Sequence, residues 1–597
     1  MRHLWSLTIA VPLLAQQSVH PEDQIDAAHR DLYQKKQDAK KTASSVTEQI
    51  ASARVASAAP ANTVVRVSFI DDHIFGRMKK DNVSHAPLAS DDEFARRVWL
   101  DATGRIPPYD ELLAFLGNTA PDKREKLVDR LLTSEGFVDK WTFYFEDLLR
   151  AGSRMGYGLN LFHYWLREWL TLDRPYNEVV TDLLTGGGKT SFSVPGGLYF
   201  ARDFVKALDD PEAPDAMDLL NIPDTVDEFT ITYSKVFLGL NLGCISCHDG
   251  KNHLEKVNVF MAGKKREDFF RQAGFFGETR QIMNWEKGEQ ANQEYTVDDD
   301  APGYNTKAES IVRMPRSGGS GAPRFILTGE TPMPGRHERD ELARLLTVNI
   351  QFSRAFANRI WAELMGFGIV EPLEDFDLGR YYAKDVPEGW PQQATNPDLL
   401  DDLAKDFQKN GYSFRKLMRR IMTSSAYGMS SRFDGEWKEE YASYHARKFV
   451  RMLTAAELND AISLATADAK TPMIQQMPEP KRADKQVQSF MKIFGQSNRD
   501  EMPKKTAQSS LQAMMLMQSK IVTDRVLAIN GSRVETLLKE TSDDNELLDR
   551  LYLSTLSRKP NDPERSVALG ALSKDRRRGA ENLQWVLINS PEFVFNY

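Results

Sequence analysis

The only two cysteines of the chain, Cys244 and Cys247, lie three residues apart and are followed directly by His248. The pattern C-x-x-C-H is the attachment signature of c-type haem. In such a site each thiol forms a thioether with a vinyl group of the porphyrin, and the histidine is the proximal ligand of the iron. The sequence therefore predicts one haem c, attached through Cys244 and Cys247 and ligated by His248.

The sixth position on such an iron has three candidate ligands in the sequence, Met261, Met283 and His253. A methionine opposite the histidine would raise the reduction potential and suit electron transfer, whereas an open position would admit a small ligand. The spacing does not choose among the three. Because no distal arginine and histidine pair typical of an activating pocket can be located, electron transfer is the favoured chemistry, and whether the protein is an enzyme stays open.

Three other kinds of site could contain the cysteine pair. A thioredoxin-like redox pair needs a strand-to-helix turn in a βαβ unit, which the flanking residues 233–241 and 249–261 do not predict. A tetrahedral zinc site needs further ligands, and only His253 lies nearby. A structural disulfide at this spacing would close a very short loop and would constrain the unfolded chain little.

Length and composition are those of a globular protein with a substantial core. The chain has 597 residues, of which 41% are hydrophobic and 27% are charged. Its formal net charge of −8 comes from interspersed acidic and basic residues. Since this gives no broad positive surface, neither nucleic acid nor anionic lipid is an expected partner.

The N-terminus has the pattern of an export signal. Arg2 and His3 precede an apolar run at 4–15 that is too short to cross a bilayer and is followed by polar residues. We therefore expect a signal peptide at 1–15, a periplasmic or extracellular protein, and no transmembrane segment. Export agrees with the haem prediction, because c-type haem is attached outside the cytoplasmic membrane in bacteria.

The periodicity after the signal is mainly helical. Residues 16–64 are polar and predict a helical tether, and amphipathic helices follow from about Val65. Ser90 and Glu93 have the spacing of a capping box that would open a helix. Further helices are expected to begin at Asn396 and Ser413. The apolar residues expected to be buried by these helices include Phe94, Val98, Trp99, Leu399, Leu400, Leu403 and Phe407.

A change of composition divides the chain. Residues 285–336 are rich in Gly, Pro, Ser and Asp and predict a linker or a long ordered loop. The expected fold is mainly α, with minor β and two large helical domains joined by this irregular Gly/Pro-rich segment. The N-terminal domain, at 65–284, contains the C-x-x-C-H motif, and the C-terminal domain covers 337–597.

Several blocks of the chain agree, in order, with those of a known family. They include Arg96-Arg97, Pro107-Pro108, Arg174-Pro-Tyr-Asn177, Phe237-Leu-Gly-Leu240, Asn358-Arg-Ile-Trp361, Asn396-Pro-Asp-Leu-Leu400 and Leu587-Ile-Asn-Ser-Pro-Glu-Phe593. The chain thus resembles planctomycete-type cytochrome c-associated proteins, which pair an N-terminal and a C-terminal domain of unknown function. The resemblance implies a haem motif in the N-terminal member and leaves the activity unassigned. Related chains usually have a second histidine where Gly250 stands here.

A second hypothesis is a cell-envelope binding or scaffold protein in which the C-x-x-C is structural. Its partner would be a polysaccharide or another exported protein, recognised by a groove lined with tryptophans such as Trp361, Trp390 or Trp437. A hydrolytic carboxylate pair among the acidic residues at 371–375 is a third, weaker hypothesis. The redox partner of a haem protein cannot be named from the sequence.

Overall fold

The fold is given by a computed structural model that describes most of the chain from residue 38 onward. The described residues are 38–53, 65–152, 155, 158–189, 222–284, 294–468, 473–478, 483–496, 499, 510–529 and 531–597. The predicted signal peptide at 1–15, with residues 16–37 and 54–64 of the predicted tether, lies outside them.

Helices dominate, as the periodicity predicts. In the first half they are α1 (Ala39–Ala53), α2 (Phe69–Lys80), α3 (Asp91–Thr103), α4 (Tyr109–Gly117), α5 (Lys123–Leu132), α6 (Glu135–Leu148), α7 (Gly158–Leu172), α8 (Tyr176–Thr185), α9 (Ile222–Tyr233), α10 (Val259–Ala262) and α11 (Arg266–Ala273). In the second half they are α12 (Glu338–Val348), α13 (Ile350–Met365), α14 (Pro397–Lys409), α15 (Phe414–Met422), α16 (Ala455–Thr466), α17 (Lys485–Ile493), α18 (Ser510–Gln518), α19 (Lys520–Thr523), α20 (Arg533–Glu540), α21 (Asp544–Leu556), α22 (Asp562–Leu572), α23 (Arg576–Ile588) and α24 (Pro591–Val594). None of these helices is long and apolar enough to span a bilayer.

The strands are short and few among the described residues. β1 (Gly188–Lys189), β2 (Thr279–Asn284) and β3 (Glu294–Asp299) form an antiparallel sheet in the order β1-β3-β2. β4 (Arg451–Met452) pairs with β5 (Phe595–Asn596). The prediction of a mainly α protein with minor β is confirmed.

Local capping explains why the helices of the second half begin where the sequence predicts. The Asn396 side chain accepts a hydrogen bond from the Leu399 N–H, and the Ser413 side chain accepts one from Lys416. Each satisfies an N–H that the first helical turn leaves unpaired. The predicted apolar face of α14 is buried, at Leu399, Leu400, Leu403 and Phe407.

The predicted capping box at the start of α3 is wrong. The Ser90 side chain makes no capping hydrogen bond, although the helix begins at the expected place. Glu93 is only 5% exposed, and its carboxylate accepts hydrogen bonds from Arg97, from the Ser430 hydroxyl and from the Ser431 N–H. This carboxylate joins α3 to a distant turn, because a buried charge needs several partners.

The two halves of the chain share the main hydrophobic cluster, whose buried members run from Ile70 to Leu553. A second cluster joins Leu100, Ile106 and Phe143 to residues from Val450 to Tyr597. Tyr176 of α8 stacks on Phe356 of α13 with ring centroids 3.9 Å apart. Trp141 of α6 meets Phe414 of α15 edge to face at 4.9 Å. Such aromatic pairs bind the halves by apolar burial and by favourable ring geometry, and residues from Ala39 onward form one compact unit.

Helix α1, inside the segment predicted as a polar tether, packs on the C-terminal half. Trp437 Nε1 donates to the Ser44 hydroxyl at 2.7 Å, and the Val450 N–H donates to Thr47 Oγ1 at 3.1 Å. Ser44 and Thr47 are both buried. Polar side chains of α1 therefore form buried hydrogen bonds with residues of the C-terminal half.

Glu93→Gln should destabilise the fold strongly. It removes the negative partner of Arg97, whose side chain is fully buried, and breaking a buried ion pair costs about 3–5 kcal/mol. The matched control is Glu111→Gln, which breaks an exposed pair with Arg130 and should cost less than about 1 kcal/mol. Urea denaturation followed by circular dichroism measures both, and equal losses would contradict the assignment.

His445 should make the fold sensitive to acid. Trp361 Nε1 can only donate, and it donates to His445 Nε2 at 3.1 Å, so the imidazole is neutral. Burial lowers the pKa of His445 from its ordinary 6.5 to about 3. As the pH falls below 6.5 the unfolded chain therefore takes up a proton that the folded protein does not. Stability should drop from pH 6.5 towards 3 by up to about 1.4 kcal/mol per pH unit from this residue.

The His445→Asn variant tests this dependence. Asparagine tolerates the left-handed backbone of this position, where φ is 50°, and it does not titrate. Urea midpoints measured at pH 6.5 and pH 5 should fall less in the variant than in the natural protein. The same fall in both proteins would show that His445 is not the titrating group.

Candidate haem-attachment site

A π-helical turn leads the chain from α9 to the cysteine motif. The turn Ser234–Leu238 continues α9 and ends at Gly239, whose φ is 66°. A Cβ on Gly239 would lie 2.6 Å from the Phe376 ring, so only glycine allows this close approach. π-helical turns of this kind are often found at functional sites.

The C-x-x-C-H motif itself forms one helical turn. The Ser246 N–H donates to the Leu242 carbonyl at 3.2 Å, and the Cys247 N–H donates to the Cys244 carbonyl at 3.3 Å. Residues three and four apart lie on the same face of such a turn. Cys244 and Cys247 lie within this turn, and His248 follows it directly.

The side chains of Cys244 and Cys247 are half-buried. Neither Cys244 nor Cys247 takes part in a disulfide, and Ile245 between them is fully buried in the main core. Ile245 anchors the turn in the core, and Cys244 packs against the same core. This arrangement leaves the thiols in place for a covalent partner.

His248 has a defined tautomer. Its Nδ1 lies 2.8 Å from the Asp249 carbonyl oxygen, which can only accept, so Nδ1 carries the proton. The lone pair of the neutral ring is therefore on Nε2, the nitrogen that a metal would bind. The His253 ring lies against it, with centroids 4.3 Å apart and planes tilted by 38°.

The three predicted sixth ligands are placed very differently. Met261 lies in α10, is 1% exposed and belongs to the main core. Met283 is on β2, and its side chain is outside the described part of the structure. His253 is exposed and lies beside His248.

Gly250 packs directly on the backbone of α10. A Cβ at this position would lie 1.9 Å from the Met261 carbonyl oxygen. The Gly250 N–H also donates to the Lys264 carbonyl at 2.8 Å. A histidine at this position would require α10 to move.

Arg266 of α11 holds the motif turn to a loop of the predicted linker. Its guanidinium is buried and donates to the carbonyls of Ser246 at 3.0 Å, Pro315 at 2.7 Å and Met314 at 2.6 Å. Its backbone N–H donates to the Asp249 carboxylate at 2.8 Å. Burial lowers the pKa of Arg266, and the nearby Cys247 thiol opposes this shift.

Arg316 fixes the same loop to α9. It donates to the carboxylates of Asp224 at 2.9 Å and Asp227 at 2.6 Å, and both of these ion pairs are buried. Tyr304 donates its hydroxyl to Asp227 at 2.5 Å. Residues 301–337 contain no helix or strand, yet these bonds order the loop that begins there.

Arg313 is a second link between the loop and the motif. Its Nε donates to the Ser246 hydroxyl at 3.0 Å, and its guanidinium pairs with Glu228. Its side chain is 9% exposed, and Nη1 is a buried donor without a partner among the described residues. In the sequence, Arg313 is only one of several arginines in a Gly/Pro-rich segment, and no pattern there predicts its contact with the motif.

A metal ion without a cofactor would need a group of side chains that hold it by themselves. Within the described ranges, no three His, Cys, Asp or Glu side chains are arranged to hold a metal ion. The zinc interpretation of Cys244 and Cys247 therefore gains no support from the described residues. A haem needs fewer protein ligands than a zinc ion, because the porphyrin itself provides the equatorial nitrogens and the protein adds only axial ligands.

The tryptophans named in the scaffold hypothesis are packed against other residues of the fold. Trp361 is fully buried. Trp390 and Trp437 are half-buried, and their rings are covered by the guanidinium groups of Arg380 at 4.4 Å and Arg447 at 3.7 Å. The three indoles are thus occupied within the fold.

The acidic residues at 371–375 have structural partners. Glu371 accepts from the Gly368 N–H at 2.7 Å, and Glu374 pairs with Arg359 at 3.4 Å. Asp375 accepts from the Asn258 side chain at 3.1 Å.

A cavity of about 230 Å³ lies away from these acidic residues, between α1, α18 and β5, and it is lined mostly by apolar side chains.

Comparison with known proteins places two family models on the chain. Residues 69–281, which include the motif, match the model PSCyt2, "Protein of unknown function (DUF1549)". Residues 338–572 match the model PSD1, "Protein of unknown function (DUF1553)". No curated protein and no solved structure matches. The pairing that the resemblance implied is confirmed, since a DUF1549 match is followed in the chain by a DUF1553 match.

Proposed function

We propose that this protein is an exported c-type haem protein that transfers electrons through one covalently bound haem. Cys244 and Cys247 attach the porphyrin, and His248 is the proximal iron ligand. The observation that carries the proposal is the motif Cys244-Ile-Ser-Cys247-His248 itself, whose two cysteines lie on one hydrogen-bonded turn with the histidine directly after it. Haem attachment requires this combination of groups.

The surroundings of the turn favour haem over the other interpretations. A thioredoxin-like pair follows a strand and opens a helix, whereas this motif follows a π-helical turn and leads into irregular residues at 249–258. A structural disulfide between Cys244 and Cys247 would close a very short loop and would constrain the unfolded chain little. The absence of a three-ligand group in the described ranges removes support for zinc.

The residues of the chain would bind and orient the group. The Asp249 carbonyl fixes the His248 ring so that Nε2 holds the lone pair. Arg266 fixes the turn through the Ser246 carbonyl and keeps positive charge near Cys247. When bound, the haem supplies a one-electron oxidation and reduction, with a potential set by its axial ligands and surroundings.

Export is the localisation that agrees with this chemistry. The pattern at 1–15 is that of a signal peptide, and c-type haem is attached outside the cytoplasmic membrane in bacteria. The electron donor and acceptor would be proteins or small molecules of the same compartment. A periplasmic fractionation of the natural protein and of a variant lacking residues 2–15 would test this part.

The protein should carry haem that survives denaturation. We expect in-gel haem staining and a pyridine haemochrome spectrum after production in a host that exports and matures c-type cytochromes. The double variant Cys244→Ala, Cys247→Ala should lose the stain because both thioethers are absent. The control Lys251→Ala changes an exposed residue of the following turn and should keep it. Folded, exported protein without haem would refute the proposal.

The two neighbouring histidines should differ in their effects. His248→Ala should reduce the yield of attached haem and abolish the low-spin absorption spectrum of what remains, because the proximal ligand is missing. His253→Ala should leave both nearly unchanged, although its ring lies only 4.3 Å from that of His248. Absorption spectra of the oxidised and reduced proteins measure this, and the reverse result would assign the iron to His253.

A further inference from the structure

The apolar cavity between α1, α18 and β5 lies where the first described helix meets the last strand. Its volume is about 230 Å³. An apolar cavity of about 150 Å³ is large enough to bind benzene and stays free of water. The cavity of this protein can therefore take a molecule larger than one aromatic ring. The apolar side chains of its wall include Ile50, Met452, Phe494, Leu516 and Phe595.

The walls of this cavity are fixed by hydrogen bonds of the fold. Phe595 pairs with Met452 in the β4–β5 ladder. The Trp585 Nε1 donates to the Met517 carbonyl at 3.3 Å, which holds α18 to α23. The buried Gln512 side chain donates to the last carbonyl of α17 at 3.2 Å. Because these bonds resist collapse of the walls, the cavity is a preformed space, and leaving such a space empty costs stability.

Helix α18 has apolar side chains on its solvent side as well as on its buried side. Leu516 is buried, whereas Leu511, Met514 and Met517 are exposed. The helix contains no charged residue, although a surface helix ordinarily has a polar outer face. Met517 is 48% exposed and also lines the cavity. The cavity therefore adjoins an exposed apolar surface, which is typical of a ligand site.

The side chains of the wall determine which ligand fits. Among the described residues, no Asp, Glu, Lys or Arg lines the cavity, so a charged ligand would lose its hydration without gaining a partner. The rings of Phe494 and Phe595 and the thioethers of Met452 and Met517 all make favourable contacts with aromatic rings. Asn589 also lines the cavity, and its Nδ2 already donates to a carbonyl of α23. Its Oδ1 can accept from a hydroxyl.

We propose that this cavity is a second binding site, which takes a neutral aromatic molecule of one or two rings with a hydroxyl group. The rings contact the phenylalanine and methionine side chains, and the hydroxyl donates to Asn589. None of the lining residues belongs to the C-x-x-C-H motif or to the arginines that hold it. The inference therefore does not depend on the proposed haem function.

Equilibrium dialysis of the full-length protein against 1-naphthol tests the site. Ala513 lines the cavity and is exposed, so Ala513→Phe should fill the cavity without disturbing the core and should weaken binding by about tenfold or more. The matched control is Leu511→Phe, which adds a ring to the same helix at an exposed position that does not line the cavity. This control should bind 1-naphthol as the natural protein does. Circular dichroism melting checks that both variants fold.

Two further probes test the chemistry of the ligand. Naphthalene-1-sulfonate has the same rings with a negative charge and should bind about tenfold more weakly than 1-naphthol or worse. 1-Octanol has the hydroxyl without a ring and should also bind more weakly, because it lacks the aromatic contacts. The variant Asn589→Leu should lose several-fold in affinity for 1-naphthol and keep its affinity for naphthalene, which has no hydroxyl.

The outcomes decide both the place and the ligand class. No binding of 1-naphthol to the folded natural protein would overturn the inference, and so would undiminished binding to Ala513→Phe. Equal or tighter binding of the sulfonate or of 1-octanol would overturn the neutral aromatic class. The haem-free variant Cys244→Ala, Cys247→Ala should bind 1-naphthol as the natural protein does. Loss of binding in that variant would place the probe at the motif and would overturn the second site.

Discussion

One buried guanidinium, that of Arg266, fixes the geometry on which the site depends. It donates to the carbonyls of Ser246, Met314 and Pro315, and its backbone N–H binds the Asp249 carboxylate. Two pieces of irregular chain are thereby held in one arrangement before any ligand arrives. Such preorganisation lowers the entropy lost on binding, and it explains why an irregular loop can hold the motif turn in place.

The DUF1553 segment supports this arrangement from the opposite side. The Asp377 carboxylate accepts hydrogen bonds from the N–H groups of Val259 at 2.8 Å and Phe260 at 2.9 Å, at the start of α10. α10 in turn packs against Gly250. Together with the shared core, these contacts mean that residues of both halves of the chain hold the motif turn in position. The pairing of the two domains in one chain has a physical reason here.

The sequence predicts the local features of the fold well, but it predicts contacts between residues far apart in the chain poorly. The helix starts at Asn396 and Ser413 follow from caps that act within three residues. The capping box at Glu93 fails because its carboxylate binds Ser430 and Ser431, more than three hundred positions away in the sequence. No local pattern distinguishes these two uses of one carboxylate.

The candidate site shows the same division. The spacing of Cys244, Cys247 and His248 is a local signal, and a local hydrogen-bonded turn contains both cysteines. The burial of Met261 and the clamping of residues 310–316 depend on packing between segments distant in sequence. Composition alone predicts a linker for that loop, because the acceptors of Arg316 lie some ninety positions earlier, on α9.

Mass spectrometry of the motif peptide tests the central claim most directly. Trypsin cleaves after Lys235 and Lys251, and releases residues 236–251 with both cysteines and His248. From protein exported and matured in a suitable host, this peptide should carry the mass of one haem after denaturation. Recovery of the peptide with free thiols, or with Cys244 and Cys247 joined in a disulfide, would contradict the account.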